Sequence, residues 1–476
     1  MAAESVTRST FRHPMVKACG NSAVLRIWSD HNQVKVYRQL WCWLAQAERE
    51  LGVTRITEEH LAEMRANIEN IDWDYLSEVL QTVRHDIMCQ IRVYERVLPT
   101  AGGLVHLGAT AAFIRDNATL IQMRDSLDIV LPNLADCLKG LTDFASRHKK
   151  LTIIGQTHYQ PATLITMGKR AAMWASSLLL GLKEVERARD ELEFRGCKGP
   201  TGSQDTYAFL FDGDDSKIVA LDKRVTELAG FKTSCRITGQ SYDRLVDCKI
   251  VNALALCGSA IHKICNDLIK MQSNGELKLA FKKECQVDSS SMPYKVNPLD
   301  AGRCCGMARA LASLTVITYQ TAATQGFERS NDDTTARQIA LADAFVTMEA
   351  LLRKFKALVG GLEVKKEIIA SLVRNELPFL ANVQPLIVVL TQHGENRQEA
   401  HEKFRQASVR ARELKDRGLP YDFRAILAED PYFRREDVLG VYDSWLENPE
   451  ILTGRCVQQV EDFIENAANP ALLRYQ

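Results

Sequence analysis

The sequence lacks the features that mark several large classes of protein. Lysine plus arginine and aspartate plus glutamate each number 60 in 476 residues, so no net charge directs the chain toward nucleic acid or an anionic membrane. The apolar run at residues 386–390 is far shorter than the roughly 20 residues that span a bilayer. The first residues, MAAESVTRSTFRH, contain no apolar signal-peptide core. We therefore expect a soluble, cytoplasmic protein with no nucleic-acid or membrane partner, in which local charge holds any anionic ligand.

Motifs for metals and cofactors are also missing. The 13 cysteines include no C-x-x-C pair, which argues against a zinc ribbon, a thioredoxin-like motif or a disulfide scaffold. The acidic run at residues 212–215 is similar to a calcium loop, but Lys217 and Lys223 stand where the turn glycine and the bidentate glutamate belong. His393 and His401 do not have the spacing of a helical zinc pair. We expect no metal and no cofactor.

Most of the chain shows the periodicity of amphipathic helices. Leu40, Leu44, Ala47 and Leu51 form one apolar stripe, and Gly52 stands at the expected C-terminal cap. Longer stripes predict four long helices, which run over residues 127–141, 178–192, 250–271 and 341–355. Period-two alternation is almost absent, so little sheet is expected. These helices together indicate an all-α fold built around a bundle of long helices.

Changes in segment length and composition predict three domains. An N-terminal helical domain covers residues 1–110, and the long helices form a central domain over residues 111–363. From residue 364 the segments become shorter and richer in Arg, Asp and Pro, which indicates a C-terminal helical domain over residues 364–476. Polar stretches interrupt the helical pattern at residues 102–116, 196–204 and 286–303. Binding and catalytic side chains usually stand on loops of this kind, so we expect the site there.

The strongest chemical signal is the stretch SSSMPYKVNP at residues 289–298. A plain interpretation is a polar loop that caps a helix beginning near Asp300, with Ser and Asn making turn hydrogen bonds. The same stretch places a hydroxyl, an ammonium and an amide close to backbone N–H groups that could surround a developing oxyanion. That combination suits the removal of a proton beside a carboxylate.

This stretch resembles the signature loop GSSxMPxKxNP of the fumarase, aspartase and argininosuccinase superfamily. Two further stretches are similar to other conserved regions of that superfamily, namely HLGAT at residues 106–110 followed by Asp116-Asn117, and THYQPA at residues 157–162. Within the superfamily the chain most resembles the adenylosuccinate lyases of animals, over nearly its whole length. The matching stretches are YRQLWCWLAQAE, Arg84-His85-Asp86, FRGCKGPTGSQ, ITGQSY, PYKVNP with Arg303-Cys304-Cys305, FERSNDD, NELPF and LTGR.

The resemblance implies a β-elimination that releases fumarate from adenylosuccinate, giving AMP, and from the succinyl-carboxamide ribotide of purine synthesis. A base removes the Cβ proton and an acid protonates the departing nitrogen. By position in the motifs, Ser289 is expected to be the base and His158 the acid. Lys295 and the loop N–H groups should lower the pKa of the serine hydroxyl, and Lys295 with Asn297 should hold the carbanionic carboxylate. His85 is expected to orient His158 or the phosphate.

The same resemblance implies the residues that bind the substrate. Arg303 and Arg329 should bind its anionic groups, since guanidinium groups make planar bidentate contacts. The expected substrate-binding residues are Arg84, Asp86, Thr110, Ala111, Gln240, Asn297, Arg303, Arg329 and Thr334. In this superfamily the three conserved regions meet only between subunits. A homotetramer with shared active sites and small-molecule nucleotide substrates is therefore expected.

The chain departs from the family pattern at several positions. Asp288 replaces the glycine before the serine, Ala111 replaces a serine, and Gln338 replaces the second arginine of a late pair. Lys17-Ala18-Cys19 aligns with the usual Ser-Arg-Tyr, unless the ungapped alignment of the N-terminus is misplaced. These changes leave the expected acid and base intact, but they leave open how the phosphate is held. The candidate replacements are Lys17, Arg337 and Thr334.

Two other functions remain open from the sequence. A lyase of the same fold could act on a different succinyl adduct such as argininosuccinate, although argininosuccinate lyases and fumarases are not similar in the FRGxKGxTG and Arg303-Cys-Cys stretches. The other alternative is a non-catalytic structural relative, as found among lens crystallins. The intact His158, Ser289 and Lys295 argue against it.

Overall fold

The computed structural model describes residues 14–15, 22–279, 287–380, 383–434 and 436–475, which are mostly helical. In chain order, the α-helices are α1 (Ala23–Ile27), α2 (Asp30–Glu50), α3 (Glu58–Ala66), α4 (Trp73–Val83), α5 (Asp86–Arg96), α6 (Ala111–Arg147), α7 (Met167–Asp190), α8 (Asp205–Leu210), α9 (Asp215–Leu228), α10 (Leu245–Ser273), α11 (Leu299–Ala323), α12 (Asp333–Gly360), α13 (Lys366–Leu380), α14 (Val383–Gln392), α15 (Arg397–Asp416), α16 (Phe423–Glu429), α17 (Glu436–Glu447), α18 (Cys456–Phe463) and α19 (Asn469–Leu472). The strands are β1 (Thr152–Thr157), β2 (Gln160–Thr166), β3 (Leu277–Lys278) and β4 (Glu363–Val364). The prediction of an all-α fold with little sheet is confirmed.

Helix α2 begins and ends where its sequence provides caps. The Ser29 side chain accepts a hydrogen bond from the Asn32 N–H at 3.2 Å, which satisfies one of the donors that the first turn leaves free. The helix ends at Glu50, and just beyond the Leu51 cap Gly52 takes φ 102°, a conformation that favours glycine. The predicted helix is confirmed, and most of its apolar stripe is buried in the core.

Five helices of 24 to 37 residues stand out from the rest, namely α6, α7, α10, α11 and α12. The four predicted stripes lie in α6, α7, α10 and α12, although α7 ends at Asp190, just before the end of its stripe. Helix α6 begins at Ala111, so the polar stretch predicted as a loop ends earlier, and Asp116 is helical. Helix α11 gave no stripe because its apolar residues lie on several sides, and only its start near Asp300 was predicted.

The small amount of sheet consists of two antiparallel pairs. Strands β1 and β2 form a hairpin with an irregularity between Ile154 and Gln156, and β3 pairs with β4. The hairpin was not predicted as sheet, because the sequence over residues 152–166 alternates weakly and reads as a polar motif.

Contacts between residues divide the chain into two compact units. Unit 1 contains Met1–Leu134, Gly181–His262 and Cys304–Arg353, and unit 2 contains Ala135–Leu180, Lys263–Arg303 and Lys354–Gln476. Each of the five long helices contributes residues to both units. Helices after residue 364 are shorter, as expected, but the division into three domains stays a prediction.

Helix α10 is long and apolar enough to cross a membrane by length and composition, but 56% of its most apolar window is buried inside the protein. A core helix meets the same criteria, so this is weak evidence for a membrane span.

Candidate active site

His158 stands at the tip of the β1–β2 hairpin in unit 2. Thr157 pairs with Gln160 across the two-residue turn, and His158 and Tyr159 have φ values of 52° and 61°. Positive φ at both central residues is typical of a type I′ turn, which usually contains Asn and Gly because they adopt it at little cost. The imidazole of His158 is exposed, and it makes no hydrogen bond to any residue in the described part of the chain. Its position leaves the ring accessible to a ligand.

Arg170 anchors the strand that leads to this turn. Its Nη2 donates a hydrogen bond to the Ile154 carbonyl at 2.8 Å, and its Nη1 lies 3.7 Å from Glu276 Oε1. Burial raises the pKa of Glu276, and the charge of Arg170 opposes that rise. His158 and Arg170 line a cavity of about 430 Å³ together with Tyr159, Lys270 and other residues of unit 2. The predicted acid therefore borders a cavity large enough for part of a small-molecule substrate.

Ser289 lies at the start of a folded loop in unit 2. Its Oγ accepts a hydrogen bond from the Met292 N–H at 3.0 Å, and the Asn297 side chain closes the loop by donating to the Asp288 carbonyl at 2.7 Å. Gln272 on α10 donates to the Val296 carbonyl at 3.1 Å. Hydrogen bonds to a hydroxyl oxygen favour its ionised form. One of the N–H groups expected to activate Ser289 is thus in place.

The two cations predicted near this loop, Lys295 and Arg303, differ in their ion pairing. Lys295 is exposed, and its ammonium makes no hydrogen bond or ion pair with the residues that the structure describes. Arg303, one turn into α11, is 62% exposed at its side chain and lies 3.0 Å from Asp300. Asp300 also contacts Lys354 at 2.9 Å. Contact of Lys295 with Ser289 stays a prediction, and the charge of Arg303 is partly offset by its neighbour.

Asp288 stands before Ser289, at a position where the family has glycine. The φ of Asp288 does not fall in the left-handed region, so this backbone position does not require the family glycine. Its carbonyl instead serves as the acceptor for Asn297. The loop therefore accommodates an aspartate without backbone strain.

In unit 1 the structure brings three predicted substrate-binding residues into one chain of hydrogen bonds. Gln240 Nε2 donates to Thr110 Oγ1 at 3.2 Å, and Arg329 Nη1 donates to Gln240 Oε1 at 2.9 Å. The backbone joins the same segments, since the Gln240 N–H donates to the Glu328 carbonyl at 3.0 Å. All three side chains are half-buried. The structure brings them together although 89 to 130 residues separate the bonded pairs, and their role in binding substrate stays a prediction.

The Arg84-His85-Asp86 stretch forms the junction between α4 and α5. Arg84 ends α4 in a left-handed conformation with φ 52°, and His85 caps α5 by accepting the Met88 N–H at Nδ1, 3.2 Å away. A neutral imidazole that accepts at Nδ1 carries its proton on Nε2. Asp86 makes a two-point ion pair with Arg115. His85 and Arg84 are exposed, so both can meet a ligand.

The neighbouring His106 has a structural environment. It accepts a hydrogen bond at Nδ1 from Trp41 Nε1 at 2.9 Å, and burial together with the nearby His85 lowers its pKa to about 4. Gly108 takes φ 65°, and a Cβ there would lie 2.8 Å from the Tyr207 ring. This part of the first conserved region therefore maintains packing, whereas Thr110 at its end reaches Gln240.

A cavity of about 250 Å³ in unit 1 is lined by Arg329, Thr334 and Gln338. Two further arginines on its wall belong to a buried ionic network. Arg244 contacts Asp116 and Asp333, and Arg337 contacts Asp247 and Asp116. Burial by itself would raise the pKa of Asp116, but Arg244 and Arg337 outweigh it and the pKa is lowered.

Arg337 is consequently committed to carboxylates and was a poor candidate for a replacement phosphate ligand. Among the described residues that line this cavity, Arg329 is the arginine without a carboxylate partner. Sequence reasoning missed Arg115 and Arg244, whose roles depend on contacts with Asp86 and Asp116 across long stretches of chain. Lys17, Ala18 and Cys19 lie outside the described residues.

The described ranges contain no evident metal site. No group of three His, Cys, Asp or Glu side chains there could hold a metal ion, and all 11 described cysteines are free thiols. The absence of a cofactor stays a prediction.

Comparison with known proteins gives consistent results. A family profile described as Lyase matches residues 8–311. The chain is 38% identical to the adenylosuccinate lyase of Caenorhabditis briggsae, over 100% of this chain and 98% of that one. It is also 38% identical to the adenylosuccinate lyase of Saccharomyces cerevisiae, over 97% of this chain and 96% of that one.

Solved structures support the fold. A 3-carboxy-cis,cis-muconate lactonizing enzyme from Pseudomonas putida superposes with a TM-score of 0.80 at 22% identity, covering 97% of this chain and 100% of that chain. A fumarate lyase from Mesorhizobium sp. BNC1 gives a TM-score of 0.80 at 20% identity, covering 93% and 97%. At these identities the likeness concerns the fold alone.

Proposed function

Because the chain belongs to the adenylosuccinate lyase family, we propose that it releases fumarate from adenylosuccinate, giving AMP, and from the succinyl-aminoimidazole-carboxamide ribotide of purine synthesis. The observation that carries the proposal is the serine loop. Ser289 lies in a closed loop with the Met292 N–H already directed at its oxygen, and Asn297 fixes the loop from the other end. A hydroxyl prepared in this way can serve as the base of a β-elimination.

The proposed reaction needs one proton removed and one supplied. Ser289, as its alkoxide, takes the proton from Cβ of the succinyl group, and the electron pair left on carbon is delocalised into the adjacent carboxylate. Lys295 and Asn297 stabilise that added negative charge. The pair then forms the C=C bond of fumarate while the C–N bond breaks. His158, exposed at its hairpin tip, donates a proton to the departing nitrogen.

The remaining predicted residues bind the nucleotide. Thr110, Gln240 and Arg329 present a hydroxyl, an amide and a guanidinium from one hydrogen-bonded chain, which suits an anionic and hydroxyl-rich ligand. Arg303 is proposed to bind a second anionic group. Arg84, His85 and Asp86 occupy a junction at which side chains are accessible, and Ala111 and Thr334 are proposed to complete the nucleotide pocket.

We also propose a homotetramer in the cytoplasm with active sites shared between subunits. Several long helices carry exposed apolar side chains at helical spacing, including Met173 and Leu180 on α7 and Val316 and Tyr319 on α11. Large exposed apolar residues arranged along helices are typical of association surfaces. A second copy of the chain would remove them from water.

An ultraviolet assay of adenylosuccinate breakdown tests the function, with argininosuccinate and malate as alternative substrates. We expect turnover of adenylosuccinate alone. Turnover of argininosuccinate would identify a different succinyl adduct as the substrate. Loss of none of the three compounds would indicate a non-catalytic relative and overturn the proposal.

A further inference from the structure

We infer that Lys270 is a positioning residue for the proposed lyase reaction, because its ammonium holds the turn that carries His158. Lys270 extends from α10, and its Nζ lies 3.6 Å from the centroid of the Tyr159 ring. Tyr159 follows His158 in the two-residue turn, and all three side chains line the same cavity. The inference rests on the proposed function, since it gives Lys270 a role only through the acid.

The turn needs support because its backbone is strained. Neither His158 nor Tyr159 is a glycine, yet both have left-handed φ values of 52° and 61°. Such residues persist only where surrounding contacts hold them. The imidazole of His158 itself contributes no hydrogen bond to the described part of the chain.

Arg170 anchors the hairpin away from its tip. Arg170 binds the Ile154 carbonyl, but the pairing of β1 with β2 is irregular between Ile154 and Gln156. Beyond that irregularity, Thr157 pairs with Gln160. The Tyr159 ring is 71% exposed, and the Lys270 ammonium above it joins the tip to α10.

The charge of Lys270 is available for this contact. Other cations that line the cavity are engaged with carboxylates, since Arg170 faces Glu276 and Lys263 pairs with Asp267. No carboxylate in the described residues pairs with Lys270. A cation above an exposed aromatic ring shifts a conformational equilibrium by about two- to five-fold. This is the size of effect expected on the population of turns that present His158 correctly.

Kinetics of five variants and one control variant test the inference. Lys270→Met and Tyr159→Leu should each lower kcat by about two- to five-fold with KM unchanged, because the acid is misplaced while substrate binding is retained. Lys270→Arg and Tyr159→Phe should restore near-normal kcat, since a guanidinium still stacks on a ring and phenylalanine keeps the ring. The double variant should be no slower than the slower single variant. Lys223→Met, which removes an exposed lysine from α9, serves as the control.

Three results would overturn the inference. A raised KM at normal kcat would assign Lys270 to substrate binding, and additive losses in the double variant would separate Lys270 from Tyr159. Failure of Lys270→Arg to restore kcat would exclude stacking as the cause.

Amide hydrogen exchange over residues 152–166 separates this inference from the proposed function. Lys270→Met should increase exchange at the turn amides, whereas Lys223→Met should not. If the unmodified protein releases no fumarate, the proposed function fails, and exchange alone then decides whether Lys270 holds the turn. Unchanged exchange in Lys270→Met would refute that role.

Discussion

Replacing Arg329 with methionine should weaken the use of phosphorylated substrates selectively. Arg329 donates two hydrogen bonds to neutral acceptors, at 2.9 Å to Gln240 Oε1 and at 3.3 Å to Asn331 Oδ1. Its buried Nε has no hydrogen-bond partner in the described part of the protein. A dianionic phosphate needs charge-assisted partners once it leaves water, and Arg329 still has donors to offer.

The expected magnitude follows from a hydrogen bond to a charged group, which contributes about 1.5–3 kcal/mol. Arg329→Met should therefore lower kcat/KM for adenylosuccinate by about 10- to 150-fold. For succinyladenosine, which lacks the phosphate, the change should stay within about two-fold, because the contact exists only when the phosphate is present. Initial rates of both compounds, measured by ultraviolet absorbance, give the comparison.

Two matched variants sharpen this test. Arg303→Met should have a smaller effect, since Arg303 is 62% exposed at its side chain and shares its charge with Asp300. Lys17→Ala should raise KM for the nucleotide alone if Lys17 belongs to the phosphate clamp. Equal losses of Arg329→Met on both substrates would refute a phosphate contact and would indicate disruption of Gln240 instead.

Ser289→Ala and His158→Ala should each lower kcat by about 10²–10⁴-fold. Gel filtration should show an unchanged oligomeric state, because neither side chain lies in the core. Near-normal turnover of either variant would exclude that residue from its proposed role. Mixing the two inactive variants should restore part of the activity, since some sites then contain an intact Ser289 from one chain and an intact His158 from another. Mixed oligomers without activity would argue against shared sites. Glu48→Gln should raise Tm at neutral pH more than at pH 5, relative to the exposed control Glu78→Gln. Both carboxylate oxygens of Glu48 are buried without a hydrogen-bond partner in the described residues, and burial raises its pKa well above 4.5. As pH rises, the Glu48 carboxyl therefore loses its proton in the unfolded chain before it does so in the folded protein. Between the unfolded and folded pKa values, the free energy of unfolding falls by up to about 1.4 kcal/mol per pH unit. Equal Tm shifts of Glu48→Gln at both pH values would contradict a raised pKa of Glu48.

Local patterns were sufficient to predict most helices but not the hairpin. The stripe in α10 recurs at helical spacing over most of a 29-residue helix, so its prediction needed no tertiary information. The His158 turn has no such signal, because its left-handed residues are neither Gly nor Asn. The contact of Lys270 with Tyr159, which joins residues far apart in sequence, is likewise invisible in a local pattern.

The sequence motifs propose residues for the candidate site but not its geometry. Motif resemblance identified Thr110, Gln240 and Arg329, but their hydrogen bonds depend on segments far apart in the chain. Arg337 shows the opposite outcome. Its position in the sequence suggests a phosphate ligand, but it is buried and bound to Asp247. Which arginines remain available is decided by packing, and packing is not visible in a local motif.

Packing also explains residues in the segments that resemble the family. In FRGCKGPTGSQ, Gly196 takes φ 80°, and a Cβ there would lie 2.1 Å from Asp222 Oδ1. Its N–H and carbonyl are held by Asn117, and Lys198 pairs with Asp222 at 2.8 Å. These residues are buried and satisfy one another, so replacing Asn117 or Asp222 would leave buried polar groups unpaired. These buried residues therefore do not by themselves account for a preference for a particular succinyl adduct.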